Sequence, residues 1–346
     1  MQKEERGFDM SQMLGKRSVR FEKPPYIQAS GSVVGKKEGE GPLGKCFDMI
    51  CSDDKFGAEN WEEAESTLQK EAAALAMGKA GVKPEDVRYI FAGDLLGQTI
   101  ATSFGIMNYE VPLFGLYGAC STAGESMSLG AMCVAGGYAD LVLTMTSSHF
   151  ASAEKQFRFP LEYGNQRPVS ATWTVTGSGA FLLGTRKTNV KIAGITTGAI
   201  VDYGIHDSMN MGAAMAPAAC DVLVHHFEDF QSVPGDYDKI ITGDLGHVGK
   251  TILIDLLKEK GFDISKVHTD CGIEIFDKET QGTDSGGSGC GCSAVTMAAH
   301  FLPQIEKGQL KKILFIPTGA LLSTVSYNEG QNVPGIAHCV LLEYEE

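Results

Sequence analysis

The string Gly118-Ala-Cys-Ser-Thr opens residues 121–135, a small-residue stretch uncharged apart from Glu125. A helix starting there places Cys120 near backbone N–H groups and the positive end of a dipole, the setting of a nucleophilic thiol. The competing reading is a small buried core residue, and Ser121 and Thr122 supply hydroxyls on either account. Two apolar runs, Tyr89-Ile-Phe-Ala-Gly-Asp and Lys239-Ile-Ile-Thr-Gly-Asp, end on Asp94 and Asp244. An Asp after a strand caps the next helix or fixes its turn. It can also lend oxygen to a hard cation such as calcium, although the chain has no contiguous EF-hand loop. Residues 147–170 gather His149, Lys155, Arg158 and Arg167. Arginine forks there suit carboxylate recognition. Against that stand solvation for Lys155, stacking between Phe157 and Phe159 for Arg158, and a structural role for His149.

Two tempting motifs fail on spacing. Cys290-Gly-Cys292 has no second pair at zinc-finger distance. Gly246-His-Val-Gly-Lys-Thr lacks the phosphate-loop glycine, because position 244 is Asp.

The elements that must hold these residues follow from periodicity. Residues 60–80 carry acids early and lysine late before Gly81, which predicts a helix. Residues 87–92, 139–145 and 179–184 read as buried strands. Strands alternating with helices predict an α/β class with a mostly parallel core. The order also repeats. The Asp94 and Asp244 runs match, Gly289-Cys-Gly-Cys-Ser-Ala opens a second helix as Gly118-Ala-Cys-Ser does the first, and strands at 312–316 and 336–343 follow. We therefore expect a disordered extension at 1–17 and two duplicated halves, 18–188 and 189–346.

Composition narrows the function. Of 346 residues, 29 are Lys or Arg and 43 Asp or Glu, a net charge of −14. With no basic stripe, nucleic acid is excluded as a partner. The nine cysteines, an odd number behind a start lacking a charged-then-apolar signal segment, read as reduced thiols. Residues 285–305, the longest stretch free of charge, contain His300 and Pro303 and make a poor membrane span.

The duplicated α/β pattern with its Ala-Cys-Ser turn resembles the thiolase superfamily of acyl-CoA condensing enzymes over residues 18–346. Longer strings are similar to the stage V sporulation protein AD family: Phe114-Gly-Leu-Tyr-Gly-Ala-Cys-Ser-Thr, Thr146-Ser-Ser-His, Gln156-Phe-Arg, Met211-Gly-Ala-Ala-Met-Ala-Pro-Ala-Ala and Pro317-Thr-Gly-Ala-Leu-Leu-Ser. The resemblance implies a five-layered α/β/α/β/α thiolase-like fold and a homodimer in which the run at 171–183 pairs across a two-fold axis. It also implies dipicolinic acid (pyridine-2,6-dicarboxylate) as ligand, alone or with calcium. On this reading the ligand is taken up into the developing spore with other stage V sporulation proteins at the spore inner membrane, the chain itself being soluble or peripheral.

Condensing enzymes of this type use a His at the second-half strand end, a His or Asn at the second central helix, and in thiolases a second Cys. Here those places hold Asp244, Cys290 or Cys292, and Pro317-Thr318, with His247 three residues beyond Asp244. An ionised Asp244 would raise the Cys120 pKa and oppose an enolate. The sequence thus predicts a binder whose site gathers Cys120, Ser121, Thr122, Asp94, His149, Arg158 or Arg167, Asp244 and Cys290. Acyl transfer by Cys120 is the alternative.

Overall fold

A computed structural model describes residues 12–158 and 166–346. The helix Trp61–Ala80 begins where Asn60 accepts the Glu63 N–H and ends at Gly81, whose φ of 68° suits a residue without Cβ. The duplication is visible in strand order. In the first half the sheet runs Leu113–Leu116, Tyr89–Gly93, Leu141–Ser148, Gly177–Gly184, Tyr26–Val34; in the second it runs His268–Asp270, Lys239–Thr242, Lys312–Ile316, Cys339–Tyr344, Val190–Thr196. Each half repeats the sequence order third, second, fourth, fifth, first. The antiparallel pairing of Lys191 with Tyr26 joins the two five-strand arrays, and Ser18–Arg20 also pairs with Val190–Thr196.

Side chains alternate between two faces along each strand. Phe91, Val142 and Phe181 point into a central layer; Ile90, Leu143 and Leu182 point outward to the helix Trp61–Ala80. The second half does the same, with Ile241 and Phe315 central and Ile240 and Leu314 outward under Met211–Phe230 and Gly246–Glu259. Helices Thr122–Ala135 and Cys290–Thr296 fill the centre between the sheets. The layers are helix, sheet, helix, sheet, helix. The second central helix lies close on the strand Gly177–Gly184 because Gly179 lacks a side chain: a Cβ there would lie 2.5 Å from the Ala294 carbonyl carbon.

Three expectations need correction. The core is mixed, since the fifth strand of each half runs antiparallel to both neighbours; apolar runs buried on both faces carry no sign of strand direction. Residues 12–17, part of the expected extension at 1–17, belong to the fold. Met13–Leu14 pairs with Ser18–Val19, and Arg17 forms an ion pair with Asp221; residues 1–11 lie outside the described residues. Finally, Gly177–Gly184 has partners on both sides and is closed to pairing across a two-fold axis. The open edge of the first half is Leu113–Leu116, whose first three residues are exposed. Its second-half counterpart, His268–Asp270, is buried.

Among the described residues, no helix is long and apolar enough to cross a membrane.

Candidate functional site

The chain leaves the edge strand at Leu116 and turns at Gly118 into a single tight turn, Ala119–Ser121, before the first central helix. Ala119 takes a left-handed φ of 52°, a conformation that costs a non-glycine residue on the order of 1 kcal/mol or more. The turn is held by hydroxyls. Ser121 donates to the Gly118 carbonyl at 2.7 Å; Thr122 donates to the Ala119 carbonyl at 2.7 Å and accepts the Gly118 N–H at 3.1 Å. Cys120 is thereby fixed facing a cavity of about 220 Å³.

Both halves build that cavity. Leu95, Tyr117 and Phe157 come from the first, Met211, Met215 and Leu322 from the second, and all six make an apolar wall. Cys120, Arg158 and Asp244 bring ionisable groups to it, and Thr174, Ser288 and Ser323 add hydroxyls.

Asp244 is buried, accepting the Gly289 N–H at 3.0 Å on one oxygen and the Thr318 hydroxyl at 2.8 Å on the other. Burial pushes its pKa up to about 7, while hydrogen bonds from Cys120, Gly289 and Thr318 oppose the rise. Gly289, with φ 102°, delivers its N–H through a backbone conformation other residues rarely adopt. The Cys120 thiol is pushed well above its ordinary range, first by burial and then by the charge of Asp244. A thiol so placed is a poor nucleophile at neutral pH.

Arg158 follows the helix Phe150–Phe157 and forms an ion pair with the buried Glu154, which also takes Arg167 at 3.0 Å. Burial lowers the Arg158 pKa, with Glu154 opposing. The second Glu154 oxygen is buried without a hydrogen-bond partner.

Among the expected site residues, Cys120, Arg158 and Asp244 meet at the cavity; the other side chains are engaged elsewhere. Arg167 donates to the Thr172 carbonyl and lies over the Phe150 and Trp173 rings, 5.7 and 5.2 Å from their centroids. His149 caps the helix that follows: its Nδ1 accepts the Ala151 N–H, and its Nε2–H donates to the Asp54 carbonyl at 2.7 Å. Asp94 accepts the Leu96 N–H, the Thr102 N–H and the Thr102 hydroxyl, leaving Leu95 to line the cavity. Cys290 is buried beneath the wall, its thiol donating to the Ser147 carbonyl, and Ser121 and Thr122 serve the turn.

The positions that would carry condensing chemistry do converge: Asp244 touches Cys120, Thr318 and the Gly289 N–H beside Cys290. In place of the His and the His or Asn of condensing enzymes they hold Asp244 and Cys290, and Asp244 when ionised would oppose an enolate oxygen. His247 is outside the cavity wall, its backbone N–H bonded to Ser285. Calcium fits poorly, since the oxygens of Asp94 and Asp244 already accept hydrogen bonds, and no cluster of three metal-ligating side chains exists among the described residues.

Sequence reasoning missed Leu95, Tyr117, Met211, Met215 and Leu322 as wall residues. The signal was present: four of the five fall inside the strings that carried the family resemblance, and Leu95 directly follows Asp94.

The stage V sporulation protein AD family profile matches residues 15–343. Stage V sporulation protein AD of Bacillus subtilis is 40% identical over 331 residues, covering 96% of this chain and 98% of that one. Among solved structures, 3-oxoacyl-[acyl-carrier-protein] synthase III from Aquifex aeolicus superposes with a TM-score of 0.57 at 15% identity, over 92% of this chain and all of that one. An OleA variant from Xanthomonas campestris gives 0.56 at 13% identity over 96% and 100%. At such identity the likeness is one of fold, the thiolase-like fold of condensing enzymes, whereas the match to the sporulation protein runs through the cavity wall and nearly end to end, and the chain belongs to the stage V sporulation protein AD family.

Proposed function

We propose that the cavity at Cys120 binds dipicolinic acid without acyl transfer, for its uptake into the developing spore with other stage V sporulation proteins at the spore inner membrane. The observation that carries this reading is the pairing of one guanidinium, Arg158, with an apolar and aromatic wall around a space of about 220 Å³. That volume is below the roughly 300–1,000 Å³ of typical drug-sized sites, so it suits one substituted ring. The His and the His or Asn of condensing enzymes are replaced by Asp244 and Cys290, and burial favours the protonated thiol, which supports binding over catalysis. Because the fold is shared with condensing enzymes, acylation of Cys120 is the second reading. Calorimetric titration with dipicolinic acid, beside mass spectrometry after acetyl- and acetoacetyl-CoA exposure, separates them. Saturable heat without an adduct supports the binder; an acyl adduct with turnover overturns it.

We also propose a homodimer formed through the open edge Leu113–Leu116. Leu113, Phe114 and Tyr117 are exposed on and just after that edge, and Tyr117 also lines the cavity. A second copy there would cover the apolar patch and narrow the cavity mouth.

A further inference from the structure

We propose that the cavity takes up one proton together with its dianionic ligand, held as an O–H···O hydrogen bond between Asp244 and one ligand carboxylate while Arg158 holds the other. This rests on the dicarboxylate reading above and deepens it by naming the residue that selects the ligand's second carboxylate. The argument is one of charge and contact. Arg158, Arg167 and Glu154 form one buried group of net charge +1, from two guanidiniums and one carboxylate. Asp244 is the carboxylate on the same cavity wall, and its contacts are the Gly289 N–H, the Thr318 hydroxyl and the Cys120 thiol, with no cation among them. The titratable groups facing it from the neighbouring elements add none: Cys120 in the turn before the first central helix, Cys290 and Cys292 on the second, Asp270 at the end of His268–Asp270 and Cys271 just after it.

A second carboxylate entering such a wall meets like charge with little solvent to screen it. A proton from solvent resolves the conflict: the Asp244 carboxyl donates its O–H to a ligand oxygen, and no covalent bond forms or breaks. Burial has already moved Asp244 toward the protonated form near neutrality.

Calorimetry on the full chain tests this at pH 8, in phosphate and in Tris, whose ionisation enthalpies differ. The expected result is uptake of about one proton with pyridine-2,6-dicarboxylate, and affinity falling about tenfold per pH unit above the Asp244 pKa. Pyridine-2-carboxylate, whose single carboxylate pairs with Arg158, should bind with no uptake. Asp244→Asn should remove the pH slope; the buffer comparison needs no variant and so stands whether or not Asp244→Asn folds. Dicarboxylate binding with no buffer dependence overturns this inference and leaves the binding reading intact. Absence of binding at any pH overturns both.

Discussion

Replacing Arg158 by Met separates recognition from folding, because the structure gives its ion partner a second cation. Glu154 is 6% exposed at its side chain and contacts both Arg158, 15% exposed, and Arg167, 8% exposed. Removing one member of a buried pair ordinarily costs about 3–5 kcal/mol, since it strands a charge. Arg158→Met strands nothing: Glu154 keeps Arg167, so the loss is closer to one charge-assisted hydrogen bond, about 1.5–3 kcal/mol. Glu154→Gln should be worse for the fold, leaving two buried guanidiniums side by side without a counter-charge. Binding should follow the opposite order. On the proposed reading a ligand carboxylate on Arg158 would contribute about 1.5–3 kcal/mol, so Arg158→Met should weaken dipicolinic acid binding about tenfold to a hundredfold. Arg167→Met, whose guanidinium is taken by the Thr172 carbonyl and the Phe150 and Trp173 rings, should alter stability more than affinity. Thermal melts and titration calorimetry on the three variants decide it. Unchanged affinity in Arg158→Met with an intact melt would refute the assignment of the cavity's cation.

Cys120, raised by burial and Asp244, should alkylate with iodoacetamide at pH 8 more slowly than an ordinary exposed cysteine, and Asp244→Asn should speed it; rapid stoichiometric labelling of the native chain would contradict the electrostatic account. Phe114→Arg, placed on the open edge at 51% exposure, should convert a particle of twice the 37.0 kDa chain mass into one of that mass by light scattering. Between about pH 5 and 7 the melting temperature should fall. Glu38, raised to about 7, and Asp270, raised to about 6, hold protons in the fold that the unfolded chain releases from about pH 4 upward. Their contribution is therefore complete below pH 4 and lost as pH rises through 6–7. Glu38→Gln should flatten that fall.

What the sequence disclosed was local or repeated. The helix at 60–80 could be read from its cap and its terminal glycine, and the duplication from strings recurring in order, because both depend on neighbours in the chain. Glu154 and Arg158, four apart, are an ordinary helix-surface pair; their burial against Arg167 depends on Trp173 and Phe150, which only the fold brings together. The cavity wall was illegible for the same reason. Met211 and Met215 share a helix face, yet their opposite wall is Leu95 and Phe157, more than fifty residues away in sequence.

The two aspartates show how far a repeated motif goes. Asp94 and Asp244 end equivalent strands in near-identical strings, and sequence offered each the same choice between cap and site. In the first half Asp94 caps its own turn, taking the N–H groups of Leu96 and Thr102. In the second half a different residue does that work: Asp270, at the end of the neighbouring strand, accepts the N–H groups of Leu245 and Gly246 at 2.9 and 3.0 Å, together with the Thr242 hydroxyl. With its helix start already satisfied, Asp244 is released to face Cys120 and the cavity. Asp270→Asn should therefore act on ligand affinity through Asp244, by loosening the turn that presents it, and the pH slope of binding should weaken along with the affinity. If Asp270→Asn lowers the melting temperature while leaving both affinity and its pH slope unchanged, Asp244 is held by Gly289 and Thr318 alone and the division of labour between the two aspartates is wrong.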